Sequence, residues 1–128
     1  MSTLKVTNIQ ATGETVSRAV SGVAAAWLNL NGTGTIAIKD STNFSSVTDI
    51  GTGNYKPIFT NSMSSANYST TCTGNNTSSF WMPSSGVRGD GSLYKSSSDF
   101  TQATARSDGT NANVDIEDVS NAVHGDLA

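Results

Sequence analysis

From Val23 onward, apolar and polar residues alternate in short bursts. Ala24, Ala26, Leu28 and Leu30 fall on one face of a strand, with Ala25, Trp27 and Asn29 on the other. Asn31-Gly32 is a hairpin-type turn, and Ile36 and Ile38 alternate in the next strand, which fades at Lys39-Asp40-Ser41. Phe44 to Ile50 is a weaker strand. Gly51-Thr52-Gly53 then supplies a turn in which the glycines permit positive φ. Tyr55, Pro57 and Phe59 share one face of the following strand, and Lys56 and Ile58 the other. After the polar run Asn61-Ser62-Met63-Ser64-Ser65, Tyr68, Thr70 and Cys72 alternate with small polar residues. Together these runs predict a β-hairpin from Tyr55 to Cys72 with an aromatic inner face. Pro57 lacks an N–H, which predicts an edge strand or a bulge there.

The second half continues in the same way. Gly74-Asn75-Asn76 is a turn, Phe80 and Met82 share a face around Trp81, and Pro83 closes that strand. Residues 84–99 hold several turns around Leu93-Tyr94-Lys95, and Phe100 to Ala105 is a strand candidate. Ser107-Asp108-Gly109 is a turn, and Val114-Asp115-Ile116 opens a last strand region in which Val119, Asn121 and Val123 alternate. The predicted fold is all-β, a small antiparallel sandwich or barrel-like domain of about eight short strands. Its predicted core is Leu28, Leu30, Ile36, Ile38, Tyr55, Phe59, Tyr68 and Cys72.

Residues 1–22 read differently and form an extended N-terminal arm ahead of the β-domain at 23–128. Thr3 to Ile9 is a short strand candidate. Val16, Val20 and Val23 recur at helical spacing and allow one or two helical turns from Glu14 to Val23. The segment has too little apolar surface to be a domain. It is expected to dock on a partner or sister chain through Leu4, Val6 and Ile9.

Composition sharpens this picture. Ser, Thr and Asn number 20, 17 and 12 of the 128 residues, and hydrophobic residues make up 35%. Globular chains usually hold roughly 45–50% apolar residues. Disordered chains usually carry many charges, whereas only 13% of residues here are charged. The balance predicts an ordered β-protein that supplies its core jointly with other copies. No run is long and apolar enough to span a bilayer as a helix, and no basic stretch followed by an apolar core predicts a secretory signal. The net charge is −3, and Lys5, Arg18, Lys39, Lys56, Arg88, Lys95 and Arg106 are scattered, so no nucleic-acid partner is expected.

The chain carries few candidates for chemistry. Cys72 is the only cysteine and reads as a small buried side chain. His124 is the only histidine, with no metal-type spacing around it. Asp115, Glu117 and Asp118 are the densest acidic cluster, and paired carboxylates can hydrolyse glycosides. The alternation beside Val114 and Ile116 instead assigns Asp115 and Glu117 to a solvated strand face. No catalytic residue, metal or cofactor is expected. Trp27, Trp81, Tyr55, Tyr68 and Tyr94 have rings suited to sugar stacking. Tyr55 and Tyr68 read as core, whereas Trp81 and Tyr94 lie among Ser, Gly and Asn in the loop-rich stretch 73–99. Arg88-Gly89-Asp90-Gly91 describes a loop tip in the same stretch. Trp81, Arg88, Asp90 and Tyr94 are therefore the candidate receptor contacts.

Three stretches carry a family likeness. They are Thr3-Leu4-Lys5-Val6-Thr7-Asn8-Ile9-Gln10, the pattern Gly53-Asn54-Tyr55 … Phe59-Thr60 … Met63 … Ala66-Asn67-Tyr68, and Val123-His124-Gly125-Asp126-Leu127-Ala128. With these the chain resembles the small tail-fibre or virion structural proteins of marine bacteriophages. It departs from their pattern at Asn54, where Asp is usual, and at Pro57. The resemblance implies a homotrimeric, mostly β appendage, and because none of the three stretches is a catalytic motif, a non-enzymatic role is expected. It would be located in the virion, contact other virion proteins and meet a glycan or protein of the host surface. A capsid decoration protein is the alternative within that setting, and a carbohydrate-binding module is the alternative outside it.

Overall fold

A computed structural model describes residues 2, 4–9, 12, 18–19, 23–75, 81–85, 94–106 and 112–128. Every helix or strand among the described residues is a β-strand. In chain order these are β1 (Asn8–Ile9), β2 (Arg18–Ala19), β3 (Ala24–Asn31), β4 (Ala37–Thr42), β5 (Phe44–Gly51), β6 (Asn54–Phe59), β7 (Ser69–Asn75), β8 (Trp81–Ser85), β9 (Gln102–Arg106) and β10 (Asp118–His124). One antiparallel sheet has the order β4-β3-β10-β7, and the other β5-β6-β9-β8. The sheets face each other across one core and no ladder joins them among the described residues, so the domain is a sandwich and not a closed barrel. The tiny β1–β2 ladder stands outside both sheets. Arg18 and Ala19 are thus extended, which corrects the helical turn expected across them. The remainder of that expected turn lies largely outside the described residues.

The interior follows the alternation. Ala26, Leu28 and Leu30 of β3 and Val119, Asn121 and Val123 of β10 are buried, as are Tyr55, Pro57 and Phe59 of β6. Phe44, Phe59, Tyr68 and Phe100 cluster at one end, with ring centroids 4.9 Å apart for Phe44–Phe59 and 5.6 Å for the edge-on pair Phe59–Tyr68. Burying each such ring contributes roughly 1.5–3 kcal/mol. Ile36, Ile38 and Cys72 are only partly buried and pack against this core from its margin. The core is therefore assembled within one chain. A low apolar fraction does not require it to be shared, because eight short strands leave their outer faces to Ser, Thr and Asn.

The middle of the interior is polar. Asn121 lies between Leu28 and Cys72 on the inner side of the first sheet, and Gln102 lies opposite Tyr55 in the second. Both are buried, and neither carboxamide has a hydrogen-bond partner among the described residues. Each such group costs about 1–3 kcal/mol.

The hairpin expected from Tyr55 to Cys72 does not form. β6 pairs with β5 through the Gly51-Thr52-Gly53 turn, and β7 pairs with β10 in the opposite sheet. The chain between them crosses the sandwich, tied by Met63 N–H to Ser97 O (2.7 Å) and Ser64 N–H to Asp126 O (2.8 Å). Nor is Pro57 in an edge strand. β6 is internal, but its ladder with β9 holds only Asn54↔Ala103 and Tyr55↔Gln102. Beyond that ladder the Pro57 carbonyl accepts from Phe100 N at 3.3 Å. The nitrogen of a strand residue points the same way as its carbonyl, so the missing donor of Pro57 faces a stretch where regular pairing has already ended. β4 continues to Thr42, past the fade expected at Lys39, with a register shift opposite Asn29/Leu30. Pro83 does not close its strand. β8 runs through it to Ser85 as an edge strand, where Pro is tolerated. Gly74 and Asn75, expected in a turn, end β7.

Two backbone devices set the corners. Asn43 joins β4 to β5 with φ 61°, a conformation Asn tolerates, and its side chain clasps Asn61 through Asn61 N–H to Oδ1 at 2.8 Å. Gly53 has φ 64° and lies against the backbone of Thr104 and Val114, where a Cβ would collide. Its N–H donates to the Asp115 carboxylate at 2.6 Å, and its carbonyl accepts from Thr104 N at 2.7 Å.

Candidate functional site

Of the four expected receptor contacts, Tyr94 is the one whose side chain is described. Trp81 lies in β8, whose side chains fall outside the described residues, as do Arg88 and Asp90 altogether. Tyr94 leads into a tight turn over residues 96–99. There Ser96 N–H donates to Asp99 O at 2.9 Å, and Asp99 N–H donates to Ser96 Oγ at 3.1 Å. Thr101 N–H donates to the Tyr94 carbonyl at 3.1 Å, which closes the loop back onto its own start. The turn is fastened from the sheet side. Lys95 Nζ donates to Tyr68 O at 2.8 Å, and the Tyr68 hydroxyl donates to Asp99 O at 3.0 Å.

Lys56 completes this surface. It is on the outward side of β6, opposite the parity of Tyr55 and Phe59. Its ammonium stands 4.8 Å from the Tyr94 ring centre and 3.6 Å from the Asp99 carboxylate. One aromatic face is therefore already covered by a cation, itself balanced by a mostly buried acid.

The outer face of the first sheet is arranged differently. Residues directly opposite one another share a face, so the register aligns Thr42, Trp27, Ala122 and Thr71 in one row across β4, β3, β10 and β7. The next row is Asp40, Asn29, Ser120 and Thr73. Trp27 is 39% exposed, and no ring or cation among the described residues stacks on it. Asn29 Nδ2 donates to Ser120 Oγ at 3.1 Å. Lys39 is paired with Asp118 at the end of this face.

Comparison with known protein families, curated proteins and solved structures finds no match to this chain.

The remaining chemistry-bearing residues serve the fold. Asp115 is half-buried, not on a solvated strand face. Its carboxylate accepts from Gly53 N–H and stands 3.1 Å from the Tyr55 hydroxyl, which also lies 3.2 Å from Gly32 O. Burial, then the Asp115 charge, raises the Tyr55 phenol well above its usual range. Burial and the Asp99 charge do the same to Tyr68. Burial pushes the Cys72 thiol up to about 12, so it is not an activated nucleophile. Asp118 is taken by Lys39, and Glu117 is exposed. Among the described residues, no three of His, Cys, Asp and Glu gather as metal ligands. His124 is exposed at the end of β10, across from Ser69 and Ala24.

In the sequence Trp27 is one of five rings suited to stacking and is not one of the candidate receptor contacts. The signal for it is its parity. It is opposite to Leu28 and Leu30 in a strand whose inner face is clear. The sequence does not show that Thr42, Ala122 and Thr71 are its neighbours, because they come from three other strands.

Proposed function

We propose that the chain is a non-enzymatic structural and attachment protein of a bacteriophage particle, a homotrimeric tail-fibre or fibre-like appendage with a recognition sandwich. The observation that carries this is a division of labour within the chain. The sandwich satisfies its own core, while the arm places Leu4 and Val6 in solvent at 85% and 47% exposure. Exposed apolar side chains on a segment outside the sandwich are what a docking arm requires. Assembly is thus assigned to Leu4 and Val6 of the arm, together with Ile9 of β1, and recognition to the β-domain. The likeness of three stretches to phage fibre proteins supplies the virion setting.

Several weak sites on one trimer would act together, since linked sites raise avidity without new contacts. Light scattering of the full chain tests the assembly. A particle three times the 13.2 kDa chain mass is expected, and Leu4→Ser with Val6→Ser should release monomers that still unfold cooperatively. A wild-type chain that is monomeric at micromolar concentration would overturn this reading.

A further inference from the structure

We propose that the outer face of the first sheet, centred on Trp27, binds a neutral saccharide chain. This rests on the reading of the β-domain as a recognition module, but not on its virion setting.

The geometry is that of a flat platform. Trp27 sits on β3, an inner strand, so it is held by paired backbone on both sides. Across the row its neighbours are Thr42 and Ala122, with Thr71 beyond, and none of these is large enough to shade an indole. Four strands at the usual spacing make that row about 14 Å wide. An indole presents a broad apolar surface with a π-face, which suits the C–H face of a pyranose. The hydroxyls that ring a sugar's edge then meet side-chain hydroxyls and one carboxylate. The row holds Thr42 and Thr71, and the adjacent row holds Asn29, Ser120 and Thr73 with the carboxylate of Asp40. Asn29 is not one of the free groups, because its Nδ2 is committed to Ser120 and its Oδ1 is shielded from solvent, so the polar contacts fall to Thr42, Thr71, Thr73 and Asp40.

Charge selects the ligand class. The two rows contain one carboxylate, Asp40, and no cation. The nearby ammonium, Lys39, is spent on Asp118. An acidic polysaccharide would meet repulsion without compensation, and a neutral one would not. A second copy of the chain fits less well. A protein interface core of this breadth is aromatic and aliphatic, whereas these rows offer one indole and one alanine among Thr, Ser, Asn and Asp. Tyr94, the comparable ring on the other side, has a face occupied by Lys56.

The test uses the full-length protein on an array of immobilised neutral and acidic glycans, followed by calorimetry with the strongest neutral oligosaccharide. Wild type should retain at least one neutral glycan. Trp27→Ala should weaken it about tenfold, near the upper end of what one stacked ring contributes. Trp27→Phe should fall between the two, and Ala122→Lys, which raises a long side chain beside the indole, should weaken binding comparably. Tyr94→Ala should leave the affinity within about twofold. Thermal unfolding confirms that each variant folds. Binding confined to acidic glycans, no glycan retained, or unchanged affinity in Trp27→Ala would each overturn the proposal. So would a drop in particle mass caused by Trp27→Ala, since that would show the face to be covered by a second copy. If the wild-type chain is monomeric yet binds through Trp27, the trimeric-appendage reading falls and this one stands. If trimers form and Trp27→Ala binds as well as wild type, the reverse holds.

Discussion

Trp27 and Tyr94 are almost equally exposed, at 39% and 40%, yet their surroundings differ. Tyr94 stands on a turn, with Lys56 over its ring and Asp99 behind Lys56. Trp27 stands on an inner strand with small residues on either side and no ring or cation of a described residue stacked on it. The first arrangement covers its ring with groups of the protein itself, and the second leaves the indole without a stacked partner among the described residues. Exposure alone does not identify a recognition residue. What the neighbouring groups are already bonded to decides it.

The largest test of this contrast is whether both faces rest on one core. Phe100→Ala removes a fully buried ring under the Tyr94 turn and should cost about 3–5 kcal/mol. If the sandwich is one cooperative unit, indole fluorescence and near-ultraviolet tyrosine signals will shift together in urea. Separate midpoints would show that the two faces belong to independent units.

Lys56→Met is expected to cost about 1–2 kcal/mol, because it strips the cation from the mostly buried Asp99 carboxylate. A cost too small to measure would mean that Lys56 does not hold the Tyr94 surface together.

Alkaline pH probes both layers from within, since Cys72 backs the first sheet while Tyr55 and Tyr68 serve the core behind the second. Folding raises the thiol from 9.0 to about 12 and raises both phenols. Between those values the unfolded chain has lost protons that the folded chain keeps. Stability is therefore complete below pH 9 and declines as pH rises toward 12, by about 1 kcal/mol at pH 10 from the thiol alone. Iodoacetamide should leave Cys72 unmodified at pH 8 in the native state and label it readily in urea. Rapid native labelling would contradict the raised thiol.

The smallest effect on stability belongs to Trp27→Ala, about 1 kcal/mol, the scale of exchanging an aromatic for alanine on an open strand face. A cost of 2 kcal/mol or more would make Trp27 a structural residue.

Several of these features were legible in the chain. The inner parity of Leu28 and Leu30, of Tyr55 and Phe59, and of Val119 and Val123 follows from period-two alternation, and the Gly51-Thr52-Gly53 turn from its glycines. The outward direction of Trp27 and Lys56 follows from the same parity. The Asp115 contact with Gly53 and Tyr55 was not legible. Its partners lie 62 and 60 residues away in sequence. Nor did any local signal place Lys56 between Tyr94 and Asp99.

The sequence by itself determined the class of element, the face each side chain takes and the scarcity of apolar residues that limits the core. Those properties depend on a residue and its near neighbours. The tertiary structure alone decided that β6 pairs with β5 and β9 while β7 pairs with β10, and that Pro57 could occupy an inner strand. It also decided that Thr42, Trp27, Ala122 and Thr71 form one row. Backbone donors and acceptors are the same in every strand, so alternation marks a strand without naming its partner. Partner choice is settled when the whole set of apolar faces closes over one core.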